Sequence, residues 1–148
     1  MMSFHRFHVI LAAGLLCSTA FAVEPAPTPK RFSAMIGGFY RTTYRVELRD
    51  HALHYTTQKG WNPKPIASAT IKPTPEQWNE FRQSLDQLGV WRWHPDYSTH
   101  VIKDPTVWYL DLAYLDHTLE SKGGPENPKY FDRYIAAVQK LLGGKPFK

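Results

Sequence analysis

Between Tyr44 and Thr57 the chain alternates with a period of two. Tyr44, Val46 and Leu48 are interleaved with Arg45, Glu47 and Arg49. Asp50-His51 then makes a turn, and Leu53, Tyr55 and Thr57 carry the alternation back. Successive side chains of a strand point to opposite faces, so this pattern predicts a hairpin with one apolar and one polar face. Such a sheet meets a core on one side only. That argues against a parallel sheet buried on both faces, whose strands are continuously apolar, and it requires an apolar cover for the other side.

Two segments supply that cover. Thr74 is placed to cap a helix, Pro75 suits its first position, and Gln77 can reach back to close a capping box. Trp78, Phe81, Leu85 and Leu88 follow at helical spacing on one stripe, and Gly89 ends it. Asn127 and Pro128 are expected to start a second helix by the same chemistry. Its apolar face is Phe131, Ile135, Val138 and Leu142, and Gly143-Gly144 stops it.

The remaining strands read as Phe32 to Tyr40, Ile66 to Ile71, Val107 to Leu115 and an edge-like His117 to Lys122. In the first, Gly37-Gly38 suggests a bulge or a close backbone approach. In the third, Trp108, Leu110, Leu112 and Tyr114 share a face opposite Asp111. Gln58 to Pro65 is a loop, and Val90 to Pro105 an aromatic, polar connection. The expected fold is α+β: an antiparallel sheet of about five to six strands with two helices packed on one face. The open face would carry Arg45, Glu47, Arg49, His54, Thr56 and Asp111.

The first 22 residues have a different character. Arg6 gives a weakly positive start, Val9 to Cys17 is apolar and too short to span a bilayer, and Ala20-Phe21-Ala22 offers small residues at the positions a signal peptidase reads. The expectation is a signal peptide over 1–22, a Pro-rich leader over 23–31, and a single α+β domain over 32–148. The product would be periplasmic or secreted after cleavage near Ala22. A lipid anchor through Cys17 is the weaker alternative, because Leu16 stands where the lipoprotein pattern requires a small residue. Cleavage removes the one cysteine, and with it any thiol or disulfide chemistry. An apolar share of 43% and a charged share of 21% exclude wholesale disorder, and no apolar run is long enough for a transmembrane span.

Several motifs together resemble a group of small exported bacterial proteins without an assigned function. They are Gly37-Gly38-Phe39, Thr74-Pro75-Glu76-Gln77-Trp78, Gly89-Val90-Trp91-Arg92-Trp93 with Tyr97, Asp104-Pro105-Thr106-Val107-Trp108, and Asn127-Pro128 with Phe131. The family's fourth element reads Asp-Gly-Thr-x-Trp, and Pro105 departs from it. These are aromatic and turn residues, so the resemblance implies an architecture and no reaction.

Candidate chemistry is sparse. His94, Asp96 and His100 could supply three metal ligands, but their spacing matches no strong zinc pattern, and solvated loop residues are the simpler reading. His51 and His54 flank a turn and point to opposite strand faces. Asp104 and Asp111 are conceivable as a carboxylate pair for glycoside cleavage, yet Asp104 precedes a proline, as turn residues do. Asp111 is placed to pair with Arg45 or Arg49. No nucleophile elbow or phosphate-binding glycine loop occurs, so no cofactor is expected.

Two surfaces stand out. In an extended chain Trp91 and Trp93 share a side and, with Trp61, Tyr97 and Trp108, could form a platform for a sugar ring or a partner. The plainer reading places them in the core. Arg41, Arg45 and Arg49 recur every four residues, and with a net charge of +5 such a stripe attracts an acidic protein, an anionic envelope polymer or lipid headgroups. Nucleic acid is not expected for an exported chain without a binding motif. The leading expectation is therefore a non-enzymatic binding module for a macromolecular envelope partner, inhibitor or immunity-like, with Arg45, Arg49, Trp91, Trp93, Tyr97 and Trp108 as candidate binding residues. The alternatives are a small cell-wall-directed hydrolase, using Asp104 or Asp111 with His100 beside Trp91 or Trp108, and a carbohydrate-binding module.

Overall fold

The computed structural model describes residues 28–98 and 103–148. Residues 1–22, where a signal peptide is expected, and with them Cys17, lie outside the described residues, as does His100. In chain order the elements are β1 (Arg31–Gly37), β2 (Thr42–Arg49), β3 (Ala52–Lys59), β4 (Ala67–Ile71), α1 (Pro75–Leu88), β5 (Asp96–Tyr97), β6 (Val107–Ala113), β7 (Thr118–Gly123) and α2 (Phe131–Leu141). The fold is α+β, and its strands form one sheet in the order β4-β3-β2-β1-β6-β7-β5.

The alternation positions every strand of this sheet. β1 lies between β2 and β6, with Ala34 opposite Val46 on one side and Leu110 on the other. These three residues are buried, with Phe32, Ile36, Leu53, Tyr55 and Leu112 on the same face. Ser33, Glu47, His54 and Asp111 occupy the opposite face through the same registers. β1, β2 and β7 thus bury one set of side chains and give most of the other to solvent, while β4 and β5 hold no fully buried residue.

Helix α1 forms as its signals require. The Thr74 hydroxyl accepts from the Gln77 backbone N–H, the Gln77 side chain accepts from the Thr74 N–H, and Gly89 closes the helix in the left-handed conformation. Trp78, Phe81 and Leu85 are buried against the sheet. In α2 the buried face is Phe131, Tyr134, Val138 and Leu141.

The structure corrects the sequence reading in five places. The first strand ends at Gly37, where a Cβ would run into Thr43, so the glycine serves a close approach; Phe39 and Tyr40 belong to the turn beyond. Arg31, assigned to the leader, is the first residue of β1. The connection after α1 contains a 3-10 turn over Val90–Arg92 and the short strand β5, which pairs in parallel with β7. That pairing makes the sheet mixed, raises its strand count to seven and removes β7 from the edge. Last, α2 starts at Phe131 rather than at Asn127-Pro128. Tyr130 has a φ of 63° and closes a turn in which the Phe131 N–H donates to the Pro128 carbonyl. A left-handed residue at that point cannot be helical.

Beyond α2, Gly143 and Gly144 reverse the chain, and the tail returns to the core. Phe147 is buried, and the Pro146 carbonyl accepts a 2.7 Å hydrogen bond from the Tyr55 hydroxyl.

Candidate functional site

The open face of the sheet carries all six residues expected there, but its charges are largely answered from within. Arg31 donates from Nε to both Asp111 carboxylate oxygens, at 2.7 and 2.6 Å, and lies 3.9 Å from Glu120. Asp111 therefore pairs with Arg31 and with neither Arg45 nor Arg49. The Arg49 guanidinium lies 3.4 Å from Glu47 on its own strand, and Lys122 lies 3.2 Å from Asp96. Arg45 is exposed and has no ion pair among the described residues. Arg41 precedes β2 and is absent from the strand face. The expected stripe reduces to Arg45 and Arg49 with Glu47 between them. Two shallow grooves mark this face. One, of about 340 Å³, involves Asp96, Tyr109, Glu120 and Lys122. The other, of about 390 Å³, involves Arg49, His54, Thr56 and Ser68.

The tryptophans divide among three environments: the core, a cluster around Arg82, and an exposed loop. Trp93 and Trp108 are buried, and their rings meet edge to face, 5.9 Å apart and inclined by 70°, where a platform needs them coplanar. Tyr97 packs on Trp108 at 5.9 Å, and Phe131 lies 4.8 Å from it. Because Val90–Arg92 is a 3-10 turn, Trp91 and Trp93 do not share a side as they would in an extended chain. Of the rings considered for a platform, Trp93 and Trp108 join the core and Trp91 and Tyr97 pack against it, as the plainer reading has it, while Trp61 stays exposed. A Cβ on Gly123 would stand 2.5 Å from Trp108 Nε1, so only glycine lets β7 pass this indole.

Trp91 belongs to a separate construction around Arg82. The Arg82 side chain is 11% exposed. It donates from Nε to Asp86 at 3.0 and 3.1 Å, and from its two terminal nitrogens to Asp116 at 2.9 and 2.7 Å. The guanidinium lies over the rings of Trp91, at 5.0 Å, and Tyr114, at 4.6 Å. The Trp91 indole N–H donates to Asp86 at 2.7 Å, and His117 stacks on Trp91 at 4.9 Å. Hydrogen bonds from Arg82 hold the Asp116 carboxyl well below the usual carboxylate range, and Asp116 in turn keeps Arg82 charged. Arg82, Asp86, Asp116 and the Trp91 indole N–H all have partners, while the buried Tyr114 hydroxyl has none among the described residues; the charged pairs fasten α1 to the β6–β7 turn.

The weak metal and catalytic candidates differ: Asp96 is engaged, whereas one Asp104 carboxylate oxygen is buried with no hydrogen-bond partner among the described residues. Asp96 accepts from the Ser98 N–H at 2.8 Å and from the Ser98 hydroxyl, and these bonds lower its pKa to about 2. His94 is fixed through its backbone: its N–H donates to the Tyr97 hydroxyl at 2.9 Å, and its carbonyl accepts from Ser121 at 2.6 Å. Asp111 and Trp108 sit on opposite faces of β6, so they line no common cleft. Asp104, in a left-handed turn, precedes β6 at the end of the sheet.

That end of the sheet holds what the sequence reading missed. The β1–β2 turn and the β3–β4 loop lie side by side there. The Gly60 N–H donates to the Arg41 carbonyl at 2.8 Å, and a Cβ on Gly60 would strike the Phe39 carbonyl. Phe39 is 60% exposed, Tyr40 75%, Trp61 41% and Ile66 69%. Arg41, Lys59 and Lys64 flank them, all exposed and none in an ion pair among the described residues. Neither residues 38–41 nor 59–66 contain an acid. The loop is also locally ordered: the Asn62 N–H donates to the Lys59 carbonyl at 3.1 Å, and its side chain accepts from the Lys64 N–H at 2.9 Å. The signal legible in sequence was a pair of aromatic, acid-free turns. Only the pairing order shows that they share one end.

No protein-family model matches the chain, and comparison with curated proteins and with solved structures likewise finds no match.

Proposed function

We propose that this chain is an exported, non-enzymatic binding protein of the bacterial envelope that engages an anionic macromolecular partner through the aromatic, basic end of its sheet. The observation that carries the reading is a contrast of surfaces. The open face answers most of its own charges with Arg31–Asp111, Arg49–Glu47 and Lys122–Asp96, leaving Arg45 as its one cation without an ion pair among the described residues. The end formed by Phe39, Tyr40, Trp61 and Ile66 combines exposed apolar area with three unanswered cations. An exposed apolar patch rimmed by charge marks an interaction site, and clustered cations attract anions over roughly 8 to 10 Å at physiological salt. An inhibitor-like role and an envelope-maintenance role both fit such a surface. The export signal and the motif resemblance support the location.

Two measurements test this. N-terminal sequencing of the protein recovered from its cells should show a chain beginning at Val23. Retention on immobilised polyphosphate should fall with salt, and should be lost in a Lys59→Glu, Lys64→Glu variant but kept in Arg45→Glu, Arg49→Glu. The opposite dependence would move the site to the open face. A lack of retention in the parent protein would remove the anionic partner.

A further inference from the structure

We infer that the anionic partner is the phospholipid headgroup layer of a membrane, on which the Phe39-Tyr40 turn and the Trp61–Ile66 loop seat as a shallow interfacial anchor. This rests on the reading above that the same end is the binding site.

Three features favour a lipid surface over a pocketed ligand or a folded partner. The first is the kind of apolar residue. Tyr40 and Trp61 pair an apolar ring with a polar handle, the chemistry that places these side chains at a membrane–water boundary, while Phe39 and Ile66 add purely apolar area. The second is the placement of charge. Arg41 follows the exposed Phe39-Tyr40 pair, and Lys59 and Lys64 bracket Trp61, so rings and cations are presented by the same two turns. An anionic leaflet attracts each such cation while the rings enter between headgroups. The third is shape. These residues lie on loops at the end of a sheet, whereas the grooves described above are lined by residues of the open face. Exposed side chains on loops suit a broad, deformable surface better than they suit an enclosed ligand site.

The mode would be interfacial, since no helix among the described residues is long and apolar enough to cross a membrane. With four apolar side chains and three cations, binding should be reversible and salt-sensitive.

The test is co-sedimentation with vesicles of phosphatidylcholine alone and of phosphatidylcholine mixed with phosphatidylglycerol. The full chain is compared with a chain beginning at Thr28, which keeps every element of the described residues, and circular dichroism checks each variant. The shortened chain should bind the anionic vesicles and leave the neutral ones. Lys59→Glu with Lys64→Glu should weaken binding at least about thirtyfold, and Phe39→Ser with Tyr40→Ser about tenfold. Lys59→Arg with Lys64→Arg should retain it. Brominated lipid should quench the parent more than Trp61→Phe.

Other outcomes overturn the inference in distinguishable ways. Polyphosphate retention that depends on these residues, without vesicle binding, would reject the lipid and leave the binding reading intact. Vesicle binding by the full chain alone, untouched by the loop substitutions, would assign it to the first 27 residues. Equal binding to neutral vesicles would remove the electrostatic half. Failure of both ligands would reject the binding reading as well.

Discussion

Tyr134 shows how a side chain can be essential in its ring and costly in its hydroxyl. The ring is buried against Trp93, at 5.3 Å, and Phe131, at 5.6 Å, while its hydroxyl oxygen has no hydrogen-bond partner among the described residues. Burial also pushes its pKa up, because the phenolate would be stripped of water. A buried hydroxyl without a partner loses its hydration and regains nothing, so Tyr134→Phe should stabilise the protein by about 1 kcal/mol. Urea unfolding measures this, and a lower midpoint would show that the hydroxyl is satisfied after all. At this scale the sequence told which face a residue occupies but not its partner. Asp111 lies on the open face as the alternation requires, yet Arg45 and Arg49 belong to β2, one strand further away. The strand between them is β1, and its first residue, Arg31, answers the carboxylate.

Elements were legible where the signal was local. The start of α1 is written in four consecutive residues, Thr74 to Gln77, and both capping-box hydrogen bonds form, at 3.2 and 2.8 Å. Thr74→Ala removes the acceptor for the Gln77 N–H and should cost about 1 kcal/mol, read as a lower thermal midpoint; Thr74→Ser should restore most of it. An unchanged midpoint in the alanine variant would mean that packing of Trp78 and Phe81 alone fixes the start of the helix. The start of α2 was misread because Asn127 and Pro128 resemble a cap but feed a separate turn ended by Tyr130. In the Trp91-Arg92-Trp93 segment the core reading holds, but the side shared by the two indoles does not, for a related reason. Left-handed Gly89 tightens the chain into a turn, with the Arg92 N–H donating to the Gly89 carbonyl at 3.1 Å, and no alternation pattern reports that.

At the scale of the whole molecule, the pairings distant in sequence were the least legible, because neither β1–β6 nor β5–β7 is signalled by any neighbouring turn. Those pairings decide which loops meet, and therefore where the exposed aromatic end forms. They also leave the β6–β7 turn at the opposite end to be fastened to α1 by Arg82 and Asp116. That fastening makes stability depend on acid. The folded pKa of Asp116 lies below its ordinary value of 3.8, chiefly through the Arg82 hydrogen bonds. A depressed carboxyl contributes its full stabilisation above the unfolded pKa and loses it as pH falls through the folded one. Asp96, lowered to about 2 by its bonds to Ser98, acts in the same direction over the same window. The thermal midpoint should therefore hold near neutrality and fall from about pH 4 downward. Asp116→Asn should lower the neutral midpoint and flatten the acid limb, since the variant has one fewer proton to take up on unfolding. An acid limb of unchanged slope in Asp116→Asn would show that the Arg82–Asp116 contact is not what acid breaks.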